Sequence, residues 1–342
     1  MRSRRSRSIS SCAPTTAAPK RAVPYEFLAA ATLNNRLGWH ESFGVTYAGA
    51  FETEELQYVA LAYDQVLNAE GLAFFADASF SWGDPGTSAL EALDFRSESI
   101  FAQAGLSYPL IRSRERNLSV SALLFLSDDQ GDILSEPSSL DRLRGVRVAA
   151  DFDDAQEWGG ITQISAVLSQ GFDGLGSTSN DNPDASREAG RVDFTKLEIR
   201  LSETMPLAGP FSVRLAGDAQ VAFTPLLAPE ECGYGGREFG RAFDPSELTG
   251  DHCLNGLAEL RLDIPAPPDT LSQSQLYAFV DHGEIFRIDP AAGTPDREDA
   301  SSAGIGVRLA WRALSADLSA TKPIDRRGDD GINYFFVANA RF

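Results

Sequence analysis

Apolar and polar residues alternate at a period of two along most of this chain, and that pattern restricts its possible folds more than any other feature. Within residues 72–82, Leu72, Phe74 and Phe80 share one face, whereas Asp77 lies on the other. No segment of the sequence shows the apolar stripe of an amphipathic helix. The alternation predicts an all-β protein with fifteen strands, near residues 25–33, 41–51, 56–66, 71–82, 96–108, 116–127, 143–153, 159–171, 192–204, 211–224, 254–264, 274–283, 302–312, 315–321 and 332–342.

The connections between these strands alternate between short and long from residue 67 onward. The short ones lie near 67–70, 109–115, 154–158, 205–210, 265–273 and 313–314, and the long ones near 83–95, 128–142, 172–191, 225–253, 284–301 and 322–331. Short periplasmic turns and longer external loops are typical of outer-membrane barrels. The sequence therefore predicts a transmembrane antiparallel β-barrel in the outer membrane of a Gram-negative bacterium. A large soluble β-sandwich is the alternative, but it has no reason to keep this alternation.

Strand parity sets the expected size and orientation of the barrel. Bacterial single-chain barrels have an even number of strands, so we expect a sixteen-stranded type of which this chain carries about fifteen, with the first strand missing. A final strand that ends in the periplasm places residues 225–253 outside. Residues 1–23, rich in Arg, Ser and Pro, are expected to be a disordered tail, and residues 24–342 the barrel domain.

Aromatic residues fall near strand ends, as the interfacial girdles of a barrel require. They are Trp82, Tyr108, Phe211, Phe223, Trp311, Tyr334 and Phe342. The closing strand ends on Phe342, which resembles the signal by which the barrel assembly machinery recognises bacterial barrels. Outer-membrane lipids and that machinery are therefore expected partners.

The composition argues against several other functions. A net charge of -19 argues against nucleic acid as a partner. The three histidines lie far apart and pair with no nucleophile motif, so we predict no catalytic residues and no enzyme activity. The acidic loops lack the spacing of a calcium site, and we predict no metal and no cofactor.

The longest external loop, residues 225–253, has features of a folded plug. It is too long for an idle hairpin tip, and a barrel of this size leaves a channel unless something fills it. Cys232 and Cys253 lie 21 positions apart in this loop, which suggests a disulfide, although free thiols are the alternative. Arg237 and Arg241 could point at lumen acids, and strand parity places Asp281 inside.

Four motifs around this loop resemble one known family. They are Gly-Gly-x-x-Phe-Gly-Arg-Ala-Phe at 235–243, Leu-Thr-Gly-Asp at 248–251, Ala-Glu-Leu-Arg at 258–261 and Phe-Val-Asp-His-Gly at 279–283. They are similar to the C-terminal barrel of the haemolysin secretion/activation family, the transporters of two-partner secretion, which are related to outer-membrane assembly factors. The resemblance spans roughly residues 25–342. Ala242 departs from the Gly that is usual at its position.

The resemblance implies a function and a set of site residues. The sixth external loop of that family folds into the barrel, and its tip arginine meets an aspartate in the Phe-x-Asp-x-Gly strand. Carried over, Gly240, Arg241 and Phe243 form the tip, and Asp281 is the partner of Arg241 in what we call the lock. Arg237 is an auxiliary charge.

The implied function is an outer-membrane pore that passes an unfolded secreted protein of the haemolysin or adhesin type. The family's two periplasmic transport-associated domains are not found in this sequence. An outer-membrane assembly insertase and a truncated barrel without transport activity remain alternatives. From the residues alone, Arg241 could also be an ordinary solvated arginine, and Asp281 one of many lumen charges.

Overall fold

In the part of the chain that the structure describes, fifteen strands form one antiparallel sheet, in which each strand pairs with the next strand of that sheet along the chain. The computed structural model describes residues 26–50, 56–84, 95–134, 136–265, 271–324 and 331–341. The strands are β1 Glu26–Asn34, β2 Glu41–Ala50, β3 Gln57–Val66, β4 Ala73–Gly83, β5 Arg96–Arg112, β6 Arg116–Ile133, β7 Glu136–Ala155, β8 Ile161–Gly171, β9 Thr195–Pro206, β10 Phe211–Ala222, β11 Cys232–Tyr234, β12 Leu248–Gly250, β13 His252–Asp263, β14 Gln273–Phe286, β15 Arg297–Trp311, β16 Leu314–Pro323 and β17 Asn333–Ala340. Two of them, β11 and β12, form a separate small sheet inside the loop.

Every one of the fifteen predicted strands overlaps a strand of the main sheet, so the predicted fold is confirmed. One predicted long loop, 128–142, is wrong. There β6 and β7 continue past the expected barrel rim, with Asp128 paired with Arg142 in the ladder. An ion pair at 2.6 Å between Arg144 and Asp128 supports this hairpin. Its residues are mostly polar on both faces, including the buried Asp129 and Asp141, so hydrophobic periodicity could not reveal it.

The two faces of the sheet differ as the alternation predicts. In β14, Tyr277, Phe279 and Asp281 are buried, while Leu276 and Val280 are 43% and 47% exposed. The buried set faces the loop and the exposed set faces outward, where a barrel meets lipid. Among the described residues no helix is long and apolar enough to cross a membrane.

The sheet curls around loop 225–253, because one loop reaches strands that are far apart in the sheet. Glu230 contacts Arg147 of β7, and the carbonyl of Ala242 accepts a hydrogen bond from Asn333 of β17. Within the described residues, β1 and β17 are the two edges of the sheet. The predicted tail 1–23 and Phe342 lie outside the described residues.

Candidate functional site

Loop 225–253 turns back from the rim and fills part of the lumen. It begins with a 3₁₀ helix, Ala228–Glu230, and a short hairpin of β11 and β12 carries its tip. At the tip, Phe239, Ala242 and Phe243 are buried together with Tyr234, which is 0% exposed. They pack against lumen residues of β13 and β14. The loop is therefore a packed part of the interior.

Two glycines allow the tip to turn this tightly. Gly235 has a φ of 125° and Gly240 a φ of 73°, both in the region that favours glycine. A Cβ on Gly240 would lie 2.7 Å from the backbone nitrogen of Gly235. The Gly-rich motif thus has a steric cause, since a larger residue at either position would force the hairpin and the tip apart.

The guanidinium of Arg241 contacts a different carboxylate from the one predicted. Its Nη1 lies 2.9 Å from Oε2 of Glu259 on β13, and Glu259 is 0% exposed. The predicted side-chain ion pair with Asp281 is therefore replaced by a pair with Glu259. Both carboxylates face the lumen on neighbouring strands, and the height at which the tip docks decides which of them the guanidinium reaches.

Asp281 holds the tip through other donors. Its Oδ1 accepts hydrogen bonds from the hydroxyls of Tyr234 and Ser302, each at 2.6 Å. Its Oδ2 lies 3.5 Å from the backbone nitrogen of Arg241. Asp281 is 1% exposed, so these donors replace the water that a buried carboxylate loses. Asp281 thus contacts Arg241, as predicted, but through the main chain of Arg241 and not through its guanidinium.

The remaining predicted tip residues also contact the wall or the loop itself. Thr321 of β16 donates a hydrogen bond of 3.1 Å to the carbonyl of Arg241. Phe243 packs on Tyr234, with ring centroids 5.6 Å apart. Arg237 is exposed, and its carbonyl accepts a hydrogen bond of 3.2 Å from Nε of Arg241. Arg237 therefore holds the side chain of Arg241 through its main-chain carbonyl.

An aromatic surface on β14 lies under the arginine. The Cζ of Arg241 is 4.4 Å from the ring centroid of Phe279, a cation–π distance. A Cβ on Gly304 of β15 would come within 2.7 Å of that ring. On β14 itself, a Cβ on Gly283 would overlap the ring of Tyr234. The glycines of these strands make room for one aromatic ring of the wall, Phe279, and one of the loop, Tyr234.

Glu259 gathers three arginines around it. Besides Arg241, it pairs with Arg261 at 2.7 Å and with Arg308 at 2.8 Å. Arg308 also reaches Asp317 at 3.1 Å and stacks over Tyr277 at 3.9 Å. Removal of one member of such a buried network leaves the other charges poorly compensated. Strand parity gives the inward direction of Glu259, but nothing in the sequence marks it as the partner of the tip.

Asp251 ties the base of the loop to neighbouring external segments. Its Oδ1 lies 2.6 Å from Nη1 of Arg187, in the connection between β8 and β9. The same oxygen accepts from the backbone nitrogen of Leu226, and Oδ2 accepts from that of Ile288, both at 2.6 Å. Asp251 is 0% exposed. One carboxylate thus links three segments at the external end of the lumen.

A disulfide closes the loop between its root and β13. Cys232 and Cys253 are bonded, with their Cα atoms 6.2 Å apart. Cys253 lies on the buried face of β13, so the bond fixes the start of β11 to the wall. The residues between the two cysteines, including the whole tip, form a covalent ring.

Removal of this bond is expected to loosen the tip. The cross-link lowers the chain entropy of the undocked loop and so disfavours undocking by about 3 kcal/mol. We expect the double substitution of Cys232 and Cys253 by Ser to remove this restraint. Trypsin added to intact cells should then cleave after Arg237 faster than in the wild type. Cys12→Ser is the matched control. Equal cleavage rates would show that the bond does not restrain the loop.

Comparisons with known proteins identify the family and the fold of this chain. The profile of the haemolysin secretion/activation protein ShlB/FhaC/HecB matches residues 25–309. Similar solved structures include CdiB from Escherichia coli, with a TM-score of 0.76 and 17% identity over 92% of this chain and 59% of that chain. CdiB from Acinetobacter baumannii gives 0.67 and 18%, over 92% of this chain and 57% of that one.

A third similar structure is BamA from Haemophilus ducreyi lacking POTRA domains 1-3, with a TM-score of 0.62 and 16% identity over 92% of this chain and 67% of that chain. A comparison with the curated proteins finds no match. The chain spans less than two thirds of the length of either CdiB, and these identities show the fold alone. The family profile covers most of the chain, so the chain belongs to the haemolysin secretion/activation protein family ShlB/FhaC/HecB, the two-partner secretion β-barrels of the Gram-negative outer membrane.

Proposed function

We propose that this barrel passes an unfolded secreted protein, of the haemolysin or adhesin type, across the outer membrane, with loop 225–253 as its plug. The observation that carries this proposal is the buried tip. Arg241 enters the lumen and pairs with a fully buried glutamate, while Tyr234 and the main chain of Arg241 meet Asp281. A loop with no role inside the lumen would not need these contacts, since solvent would satisfy its polar groups.

The polar lumen supports the passage of an unfolded chain. Within the described part of the chain, no group of three His, Cys, Asp or Glu residues could hold a metal ion. The inward faces carry serines, carboxylates and arginines that can exchange hydrogen bonds with any extended backbone. Because the chain belongs to a family of secretion barrels, we propose a transporter without enzymatic activity, whose partners are the secreted substrate, the surrounding lipids and the barrel assembly machinery. The barrel domain is proposed to be residues 24–342.

The plug is tested by removing its arginine. Arg241→Ala is expected to raise the fraction of time that the reconstituted barrel spends in a high-conductance state, because the tip loses its ion pair and its stacking on Phe279. The measurement is single-channel recording in planar bilayers. Arg114→Ala, in an exposed turn at the other end of the barrel, is the matched control.

A conductance of Arg241→Ala equal to that of the control would show that the tip arginine does not hold the pore closed. The substrate class needs a separate test. A candidate secreted protein should appear in the medium when it is expressed with the transporter, and its secretion should fall when the plug is cross-linked to β14.

A further inference from the structure

The root of loop 225–253 carries a second buried ion-pair network, distinct from the one at the tip. Glu230 ends the 3₁₀ helix and is 3% exposed. Its Oε1 lies 2.6 Å from Nη2 of Arg147 on β7, and its Oε2 lies 2.8 Å from Nζ of Lys196 on β9. Burial disfavours the charged carboxylate, but Arg147 and Lys196 outweigh burial and hold the pKa of Glu230 below its ordinary value.

The surroundings of Glu230 fix its position. Leu226 and Leu227, just before it, are buried among residues of the wall and of the β8–β9 connection. Nζ of Lys196 and Nε2 of Gln220 both donate hydrogen bonds to the carbonyl of Glu230, at 2.9 and 3.2 Å. Both the main chain and the side chain of this residue are therefore bound to the wall.

The root contact has the same components as the tip contact: an arginine, a phenylalanine, a glycine and a buried glutamate. The Cζ of Arg147 lies 4.1 Å from the ring centroid of Phe125 on β6. A Cβ on Gly145 of β7 would meet that ring at 2.5 Å. At the tip, an arginine likewise stacks on a phenylalanine that lies against a glycine of the next strand, and it pairs with a buried glutamate.

The charge polarity of the two contacts is reversed. At the tip the loop supplies the arginine, and Glu259 belongs to the wall. At the root the loop supplies Glu230, and the wall supplies Arg147 and Lys196. Five strand-to-strand steps separate β7 from β14 in the sheet. The loop therefore spans the lumen between two parts of the wall that carry opposite charges. Its arginine cannot pair with the basic wall residues at the root, and its glutamate cannot pair with the acidic wall residue at the tip.

We propose that Glu230 is a second lock residue, so that the plug is held at its root by Arg147 and Lys196 as well as at its tip. The proposal rests on the proposed role of the loop as a plug. The disulfide lies between the two locks and fixes Cys232 to β13. Release of the tip alone then moves only the ring between the cysteines, and a full opening of the lumen requires release of the root too.

The test compares isosteric variants that remove one charge each. Glu230→Gln is expected to raise the open-to-closed ratio at least about tenfold, equivalent to about 1.4 kcal/mol. Glu188→Gln, at an exposed glutamate of the β8–β9 connection, is the control. The double variant Glu230→Gln with Arg241→Ala should show a larger open conductance level than either single variant, because root and tip then leave together.

Two further measurements distinguish a role of Glu230 in closing the pore from a role in folding of the barrel. Heat-modifiable migration on gels reports whether the barrel is folded, and it should be unchanged in Glu230→Gln. Trypsin added to intact cells should cleave after Arg237 more rapidly. The nicked barrel should remain one band without reductant, because the disulfide joins the fragments.

The wall side provides an independent variant. Arg147→Met keeps the side-chain stem and should raise the open ratio as Glu230→Gln does, and the combination of the two should add little to either. If Arg241→Ala opens the pore while both root variants stay like the control, the second lock is overturned. If neither Arg241→Ala nor the root variants open it, the plug itself fails. If both root variants fail to fold, Glu230 serves assembly and the second lock is also overturned.

Discussion

Arg241 is expected to be energetically coupled to Glu259 and not to the Asp281 side chain when the closed state of the plug is measured. In a double-mutant cycle of Arg241→Ala with Glu259→Gln, we expect a coupling of about 2 kcal/mol, or roughly thirtyfold in the open-to-closed ratio. The reason is the 2.9 Å ion pair between a part-buried guanidinium and a carboxylate with no solvent exposure. Single-channel recording supplies the ratio for each variant.

The control cycle combines Arg241→Ala with Asp281→Asn. Asp281 meets the backbone nitrogen of Arg241, which the alanine keeps, so the two effects should add within about 0.5 kcal/mol. Asp281→Asn should instead be coupled to Tyr234→Phe, because the tyrosine hydroxyl donates to that carboxylate at 2.6 Å. Strong coupling of Arg241 to Asp281, with none to Glu259, would contradict the geometry and restore the pairing expected from the sequence.

Gly283→Ala is expected to expel the tip from its site on β14. A Cβ at this position would overlap the ring of Tyr234 and lie 2.5 Å from Oδ1 of Asn255. Overpacking of this kind costs about 1–3 kcal/mol, and the loop can avoid the cost by undocking. We therefore expect a rise of roughly tenfold in the open-to-closed ratio, with a barrel that still folds.

Gly256→Ala is the matched control for this substitution. Gly256 lies on the neighbouring strand, and a Cβ there would meet nothing within 4 Å. The control should leave both conductance and tryptic cleavage after Arg237 unchanged. If Gly283→Ala behaves like Gly256→Ala, Tyr234 does not occupy that position in the closed pore.

The sequence predicts the strands and their inward faces because both depend on local alternation, which each strand carries by itself. The inward position of Asp281, predicted on that basis, is confirmed by its burial. The partner of Arg241 could not be predicted in the same way. Glu259 pairs with Phe279 in the ladder, two positions from the pair of Leu257 and Asp281, so the choice depends on how deeply the tip docks.

The root contact was missed for a related reason. Glu230 belongs to an irregular segment with no periodicity, and its neighbour Glu231 carries the same charge. Only the direction of a three-residue helix decides that Glu230 meets Arg147 on β7, 83 positions earlier in the chain. Such a contact is set by packing between distant segments, which a single sequence does not encode in any local pattern.

The β6–β7 hairpin changes the shape of the external surface. A strand crosses the bilayer with about 9–11 residues, whereas β6 has 18 and β7 has 20. At about 3.4 Å per residue, a surplus of about eight residues forms a projection of roughly 27 Å along the strands. A large molecule that approaches this side of the barrel from outside the cell therefore meets this hairpin, with its acidic Asp128, Asp132 and Glu136, before it reaches loop 225–253.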